Sequence, residues 1–131
     1  MKISNFKTRI LHTPATDSLA DSLPDTGAQR AFVTLEITTD DGIDGIGLTF
    51  VPAINASPLT SSLRSAVDAL AELTLGHDPM EIEGIMEGLK ATTLAAGPGG
   101  ILTLALAAID IALWDIKGKA LGQTVSTLLG G

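Results

Sequence analysis

Residues 97–131, GPGGILTLALAAIDIALWDIKGKALGQTVSTLLGG, decide how the whole chain is read. Leu102, Leu106, Ile109, Leu113, Ile116 and Ala120 recur at spacings of three and four, which place them on one face of a helix. Ile101, Leu104, Ile111 and Trp114 add a second apolar face, while Asp110, Asp115, Lys117 and Lys119 supply most of the polar surface. Gly97, Pro98, Gly99 and Gly100 open the helix and Gly122 is placed to close it. A helix that is apolar on two faces needs covering on two faces. That is more cover than a small domain usually offers.

Working back from this helix, residues 2–11 alternate loosely around Ile3, Phe6 and Ile10 and predict a first strand. Residues 12–29 are dominated by Thr, Ser, Asp, Pro and Gly and predict a long loop, and loops beyond roughly 12–15 residues in compact domains are usually functional or disordered. Residues 30–39, with Phe32, Val33, Leu35 and Ile37, predict a second strand. Asp40, Asp41 and Gly42 make a turn, and residues 43–50 return as a third strand. Gly45 and Gly47 within it signal close backbone approach or a bulge. A second, shorter loop spans residues 51–58. A helix capped by Thr60 or Ser61 is expected over 62–75, ended by Gly76. Asp78, Pro79 and Glu81 have the spacing of a capping box for a further helix to about residue 94, with Met80, Ile82, Ile85, Met86 and Leu89 facing the core. A short helix over 124–129 ends the chain. Three strands followed by three or four helices make an α+β fold, a three-stranded antiparallel meander and a helical bundle.

Composition narrows the function. The core must be aliphatic, because 45% of residues are apolar but only 3% are aromatic. The net charge of −7 and the lack of a basic run argue against nucleic acid and anionic membrane surfaces as partners. With no cysteine, disulfides, thiolate catalysis and thiolate metal sites are all excluded. The N-terminus carries no signal-peptide core and the apolar run 101–109 is well short of the ~20 residues of a membrane helix, so a cytoplasmic location is expected.

Constellations that resemble sites dissolve on inspection. Asp40, Asp41 and Asp44 lack the ligand series of a calcium loop and are explained by a hairpin turn. The glycines at 42, 45 and 47 lie in and before a strand rather than between a strand and a helix, as a dinucleotide fingerprint would need. The glycines before residue 101 make a possible anion site at a helix start, but no P-loop lysine follows and loop punctuation explains them. His77 falls at a turn between helices, and His12 borders the first loop, where it could approach a ligand. Asp110 and Asp115 lie on different helix faces; Asp115 pairs with Lys119 at i,i+4, and Asp110 is expected to accept hydrogen bonds at a packing interface. No catalytic residue and no metal ligand set is found in the sequence.

The run from Ala107 to Gln123 (AAIDIALWDIKGKALGQ), followed by Leu128, Leu129 and Gly130, resembles the signature of the mandelate racemase/muconate lactonizing branch of the enolase superfamily. Thr124 departs from it, standing where the family pattern usually has proline. The resemblance implies that residues 1–131 form an N-terminal capping domain, with the C-terminal (β/α) barrel absent from this chain. In such enzymes the barrel binds Mg²⁺ and removes a proton α to a carboxylate. Two cap loops close over the barrel mouth and help select the substrate. The implied function is therefore substrate capping and specificity in an acid-sugar dehydratase, with a racemase, a cycloisomerase or a non-catalytic binding domain as alternatives. The implied partners are the barrel itself, a small carboxylate substrate and further copies in a homo-oligomer. The loops correspond here to residues 12–29 and 50–58, and Asp17, Asp21, Arg30, Phe50 and Val51 are the candidate specificity residues.

Overall fold

The computed structural model describes residues 1–15, 29–52, 57–96 and 99–131. Strands β1 (Ile3–Pro14), β2 (Gln29–Thr39) and β3 (Asp44–Thr49) form one antiparallel sheet in the order β1-β2-β3. Helices α1 (Ser57–Glu72), α2 (Ile82–Thr93), α3 (Gly100–Leu121) and α4 (Val125–Leu128) follow, with a 3₁₀ turn at Leu94–Ala96. The α+β meander-and-helices architecture is the one expected.

The core lies between one face of the sheet and the helices. Val33, Leu35 and Ile37 alternate inward from β2 and meet Leu63 and Val67 of α1 and Ile109, Leu113 and Ile116 of α3, all fully buried. The face that α3 turns to the sheet is not quite the one its large side chains suggest. Ala105, Ala108 and Ala112 are fully buried with Ile109, Leu113 and Ile116, whereas Leu102 and Leu106 are only half-buried and Ala120 is exposed. The reason lies in β3. A Cβ built at Gly45 or Gly47 would overlap the carbonyl oxygens of Ala112 and Ala108 respectively. Backbone meets backbone here, which requires small residues on both sides and rotates the helix toward its alanines.

Several boundaries move for physical reasons. β1 runs on to Pro14 and β2 starts at Gln29, because His12, Thr13 and Pro14 pair with Ala31, Arg30 and Gln29. Ladder pairing thus overrides a polar composition, and β1 is an edge strand, where a terminal proline is tolerated. α1 starts at Ser57 rather than Ser62, with Pro58 in its first turn, where the missing N–H costs nothing. It ends at Glu72 rather than at residue 75: the Thr74 N–H and hydroxyl both donate to the Ala71 carbonyl, and Gly76 (φ +79°) completes the turn. That turn is tied to β1, since Ile3 N–H donates to His77 O and Gly76 N–H to Ile3 O. The expected capping box is not formed. Asp78 Oδ1 accepts from the Met80 N–H at 3.0 Å and caps an isolated turn, and α2 begins only at Ile82 after Glu81, which makes no side-chain cap. Gly122 closes α3 as expected, in the left-handed conformation (φ 61°, ψ 32°). Thr124, the departure from the family pattern, caps α4 by accepting the Thr127 N–H at 3.1 Å, something proline could not do.

Candidate functional site

The sheet places the roots of both candidate loops together. Antiparallel pairing sets Pro14 opposite Gln29 and Val33 opposite Thr49, so the end of β1, the start of β2 and the end of β3 share one end of the sheet. α3 starts at this end too, because Gly47 lies against Ala108 while Gly45, nearer the other end of β3, lies against Ala112 and Ile116.

Of the candidate specificity residues, Asp17 and Asp21 lie outside the described residues. Arg30 is half-buried in β2, opposite Thr13. Phe50 follows β3 directly, is 38% exposed and stacks on Phe32, with ring centroids 5.4 Å apart and planes tilted by 55°. Val51 is half-buried and packs on the core. Arg30 and Phe32 lie on the same face of β2, so the structure brings Arg30 and Phe50 to one end of one face and turns Val51 away from them.

Phe32 was missed as a site residue, although a signal for it existed: strict alternation of Val33, Leu35 and Ile37 inward places Phe32 on the opposite face. Leu11, paired with Phe32, is 47% exposed and extends the same apolar patch. Ile46 and Leu48, also exposed, continue it along β3. His12 is exposed at the end of β1, opposite Ala31.

Two polar networks tie the outer strands of the sheet to the helices. On β1 the largely buried Thr8 hydroxyl donates to Asp68 Oδ1 at 2.6 Å and accepts from Arg64 Nε at 3.1 Å, joining the strand to α1. On β3 the Asp115–Lys119 pair is present at 2.6 Å, but it is more than the surface ion pair its spacing suggests. Asp115 Oδ2 also accepts the Ile46 N–H at 2.8 Å, and Lys119 Nζ donates to the Asp44 carbonyl at 2.7 Å. An exposed i,i+4 pair alone is worth about 0.3–0.5 kcal/mol, whereas a backbone hydrogen bond to a charged group contributes roughly 1.5–3 kcal/mol before solvent screening. The backbone contacts are the larger part. No helix spacing could have revealed them, since the partner strand is about 70 residues away in sequence.

Asp110 lies elsewhere, on the wall of an open groove of roughly 480 Å³ between α2 and α3, with Ile82, Met86, Lys90, Leu106 and Trp114. Its carboxylate accepts no hydrogen bond among the described residues, so the packing-interface role expected for it is not seen there. Lys117 Nζ stands 5.2 Å from the Trp114 ring centroid, a cation–π contact that covers part of the indole. Among the described residues no three or more His, Asp or Glu side chains converge as a metal site, and no helix is long and apolar enough to cross a membrane.

Residues 8–130 match the family model of the mandelate racemase/muconate lactonizing enzyme N-terminal domain. The chain belongs to this family. It is 44% identical over 104 residues to the D-galactonate dehydratase of Xanthomonas axonopodis, covering 79% of the chain and 26% of that enzyme. It is 38% identical over all 131 residues to the D-galactarolactone cycloisomerase of Agrobacterium fabrum, of which it spans 32%. The crystal structure of L-talarate/galactarate dehydratase from Salmonella typhimurium, liganded with Mg and L-lyxarohydroxamate, superposes with a TM-score of 0.79 at 28% identity, over 98% of this chain and 33% of that one. The chain thus spans about a quarter to a third of the length of these relatives.

Proposed function

We propose that this chain is the substrate-capping and specificity domain of a Mg²⁺-dependent enolase-superfamily enzyme that removes a proton α to a carboxylate, and that the enzyme is an acid-sugar dehydratase. The observation that carries the proposal is the convergence of both loop roots at one end of the sheet, beside the exposed Leu11–Phe32–Phe50 patch. An apolar surface at the point where two segments leave the scaffold is suited to meet a second domain and to shape a cavity against it. The dehydratase assignment is supported by the relatives named above, two of which are dehydratases of sugar acids.

The greater length of the relatives supports the remaining parts. The acid/base groups and the metal would be held by a C-terminal barrel of the kind that makes up the rest of such enzymes. Mg²⁺ would there stabilise the negative charge that develops as the α proton leaves. What this chain's residues do is bind substrate and exclude water: Arg30 supplies a cation for a carboxylate or hydroxyl-bearing substrate, Phe50 supplies apolar wall, and Val51 anchors the start of the second loop on the core. Ile111 and Leu121, exposed on α3, would be covered by the barrel or by a further copy of the protein. Cycloisomerisation of a sugar-acid lactone is the second reading, favoured by the relative that matches along the whole chain.

The test is the natural full polypeptide, purified, weighed and stripped with EDTA. Incubated with D-galactonate, galactarate and talarate, it should form 2-keto-3-deoxy products only when Mg²⁺ is restored. Ring opening of a galactarolactone without net loss of water would move the assignment to the second reading. A natural product of 13.4 kDa, inert toward all of these, would refute the enzyme assignment.

A further inference from the structure

β3 presents an unusual problem of register. It is six residues long, lies at a sheet edge, and turns Gly45 and Gly47 rather than large side chains toward α3. Two glycines carry no side chain to lock the strand by packing, and they are costly to order. Their spacing nevertheless matches the helix. Two residues of strand advance about 6.8 Å and four residues of helix about 6.0 Å, which seats Gly45 and Gly47 under the carbonyls of Ala112 and Ala108. What remains to hold the strand along its length is the ladder to β2 and the contact with α3.

That contact is made at the edge opposite β2. Asp115 Oδ2 receives both the Ile46 N–H and the Lys119 ammonium, and Lys119 Nζ reaches the Asp44 carbonyl. The carboxylate and the ammonium thus grip backbone groups two residues apart, one a donor and one an acceptor, so a slip of the strand in either direction breaks both bonds. Four residues beyond Ile46 the chain delivers Phe50 onto Phe32.

We infer that Asp115 and Lys119 are positioning residues for Phe50 and Val51, setting through the register of β3 where the second loop leaves the scaffold. The consequence for substrate selection rests on the capping role proposed above, while the clamp itself can be read in this chain without any substrate.

Amide exchange of the ¹⁵N-labelled chain tests it. In the unaltered protein the Ile46 amide should be protected like an interior ladder amide, although it points away from β2. Asp115→Ala should speed exchange at Ile46 by about tenfold or more and should also speed it at Thr49 and Val51 while shifting the Phe50 ring resonances. Asp115→Asn, which keeps an acceptor for the Ile46 N–H, should restore most of that protection; Lys119→Met, which removes only the Nζ bonds, should give an intermediate result. If Asp115→Ala does not fold, the Lys119→Met variant and the unaltered Ile46 amide carry the same readout. An unprotected Ile46 amide in the unaltered chain would overturn the inference. So would variants that loosen Ile46 but leave Thr49–Val51 unchanged. A full-length enzyme whose substrate selection ignores Phe50 would sink the capping role and leave the clamp standing.

Discussion

Gly47 lies directly beneath the carbonyl of Ala108, at a distance that leaves no room for a Cβ, and Gly45 stands in the same relation to Ala112. This strand-to-helix joint is therefore made largely of backbone against backbone, with the Ile116 side chain beside Gly45. Gly47→Ala must push α3 off the sheet or distort β3, and overpacking of this kind costs about 1–3 kcal/mol when side chains yield and more when backbone must. Urea unfolding followed by circular dichroism should show the midpoint falling by that margin for both Gly45→Ala and Gly47→Ala. A loss below ~0.5 kcal/mol would mean that the helix does not sit this close.

Glycines on α2 should behave in the opposite way. Gly84 and Gly88 are helical and exposed, and a Cβ at either would meet nothing within 4 Å. Alanine there removes backbone freedom from the unfolded chain and should stabilise by about 0.5–1 kcal/mol at each site, measured as a raised urea midpoint.

The Phe32–Phe50 contact can be weighed by a double-mutant cycle. Truncating each ring to leucine, singly and together, should give a coupling of about 0.5–1.5 kcal/mol, the usual range for tilted aromatic pairs. A coupling near zero would show that the rings are neighbours only.

At the other end of the chain, Thr124→Ala removes the acceptor for the Thr127 N–H. A lost N-cap costs about 0.5–2 kcal/mol, here confined to the four-residue α4, so faster exchange at Thr127 and Leu128 is expected with little change in the global midpoint.

Much of this architecture was legible in the residues themselves. Apolar and β-branched residues located β2, the turn at Asp40, Asp41 and Gly42 located β3, and the paired glycines pointed to a close backbone approach or a bulge. Gly122 marked the end of α3, and the run through Trp114 and Gly118 pointed to the family. What escaped was whatever depended on a distant partner. His12 to Pro14 look like loop, yet lie in a strand because β2 offers them a ladder. Asp78 has the spacing of a helix cap, yet spends its carboxylate on a local turn. Ala105, Ala108 and Ala112 are too small to stand out in a hydrophobic pattern, and only the glycines facing them explain why they, rather than Leu102 and Leu106, are buried. Within the candidate site, Phe50 and Arg30 could be proposed from loop position, but the ring that Phe50 rests on could be found only by asking which way β2 alternates.

The Asp115–Ile46 hydrogen bond has one further consequence, for how copies of this domain can meet. An edge strand normally offers its free N–H and C=O groups as a template on which another chain can grow a sheet, the route to strand-swapped dimers and fibrils. Midway along β3 that template is already taken, the Ile46 donor by a carboxylate and the Asp44 acceptor by an ammonium. A strand arriving from another molecule would have to displace a charged pair before forming its first bond. Association between copies is thereby steered away from sheet extension at this edge and toward side-chain surfaces, where geometry and stoichiometry are set by shape.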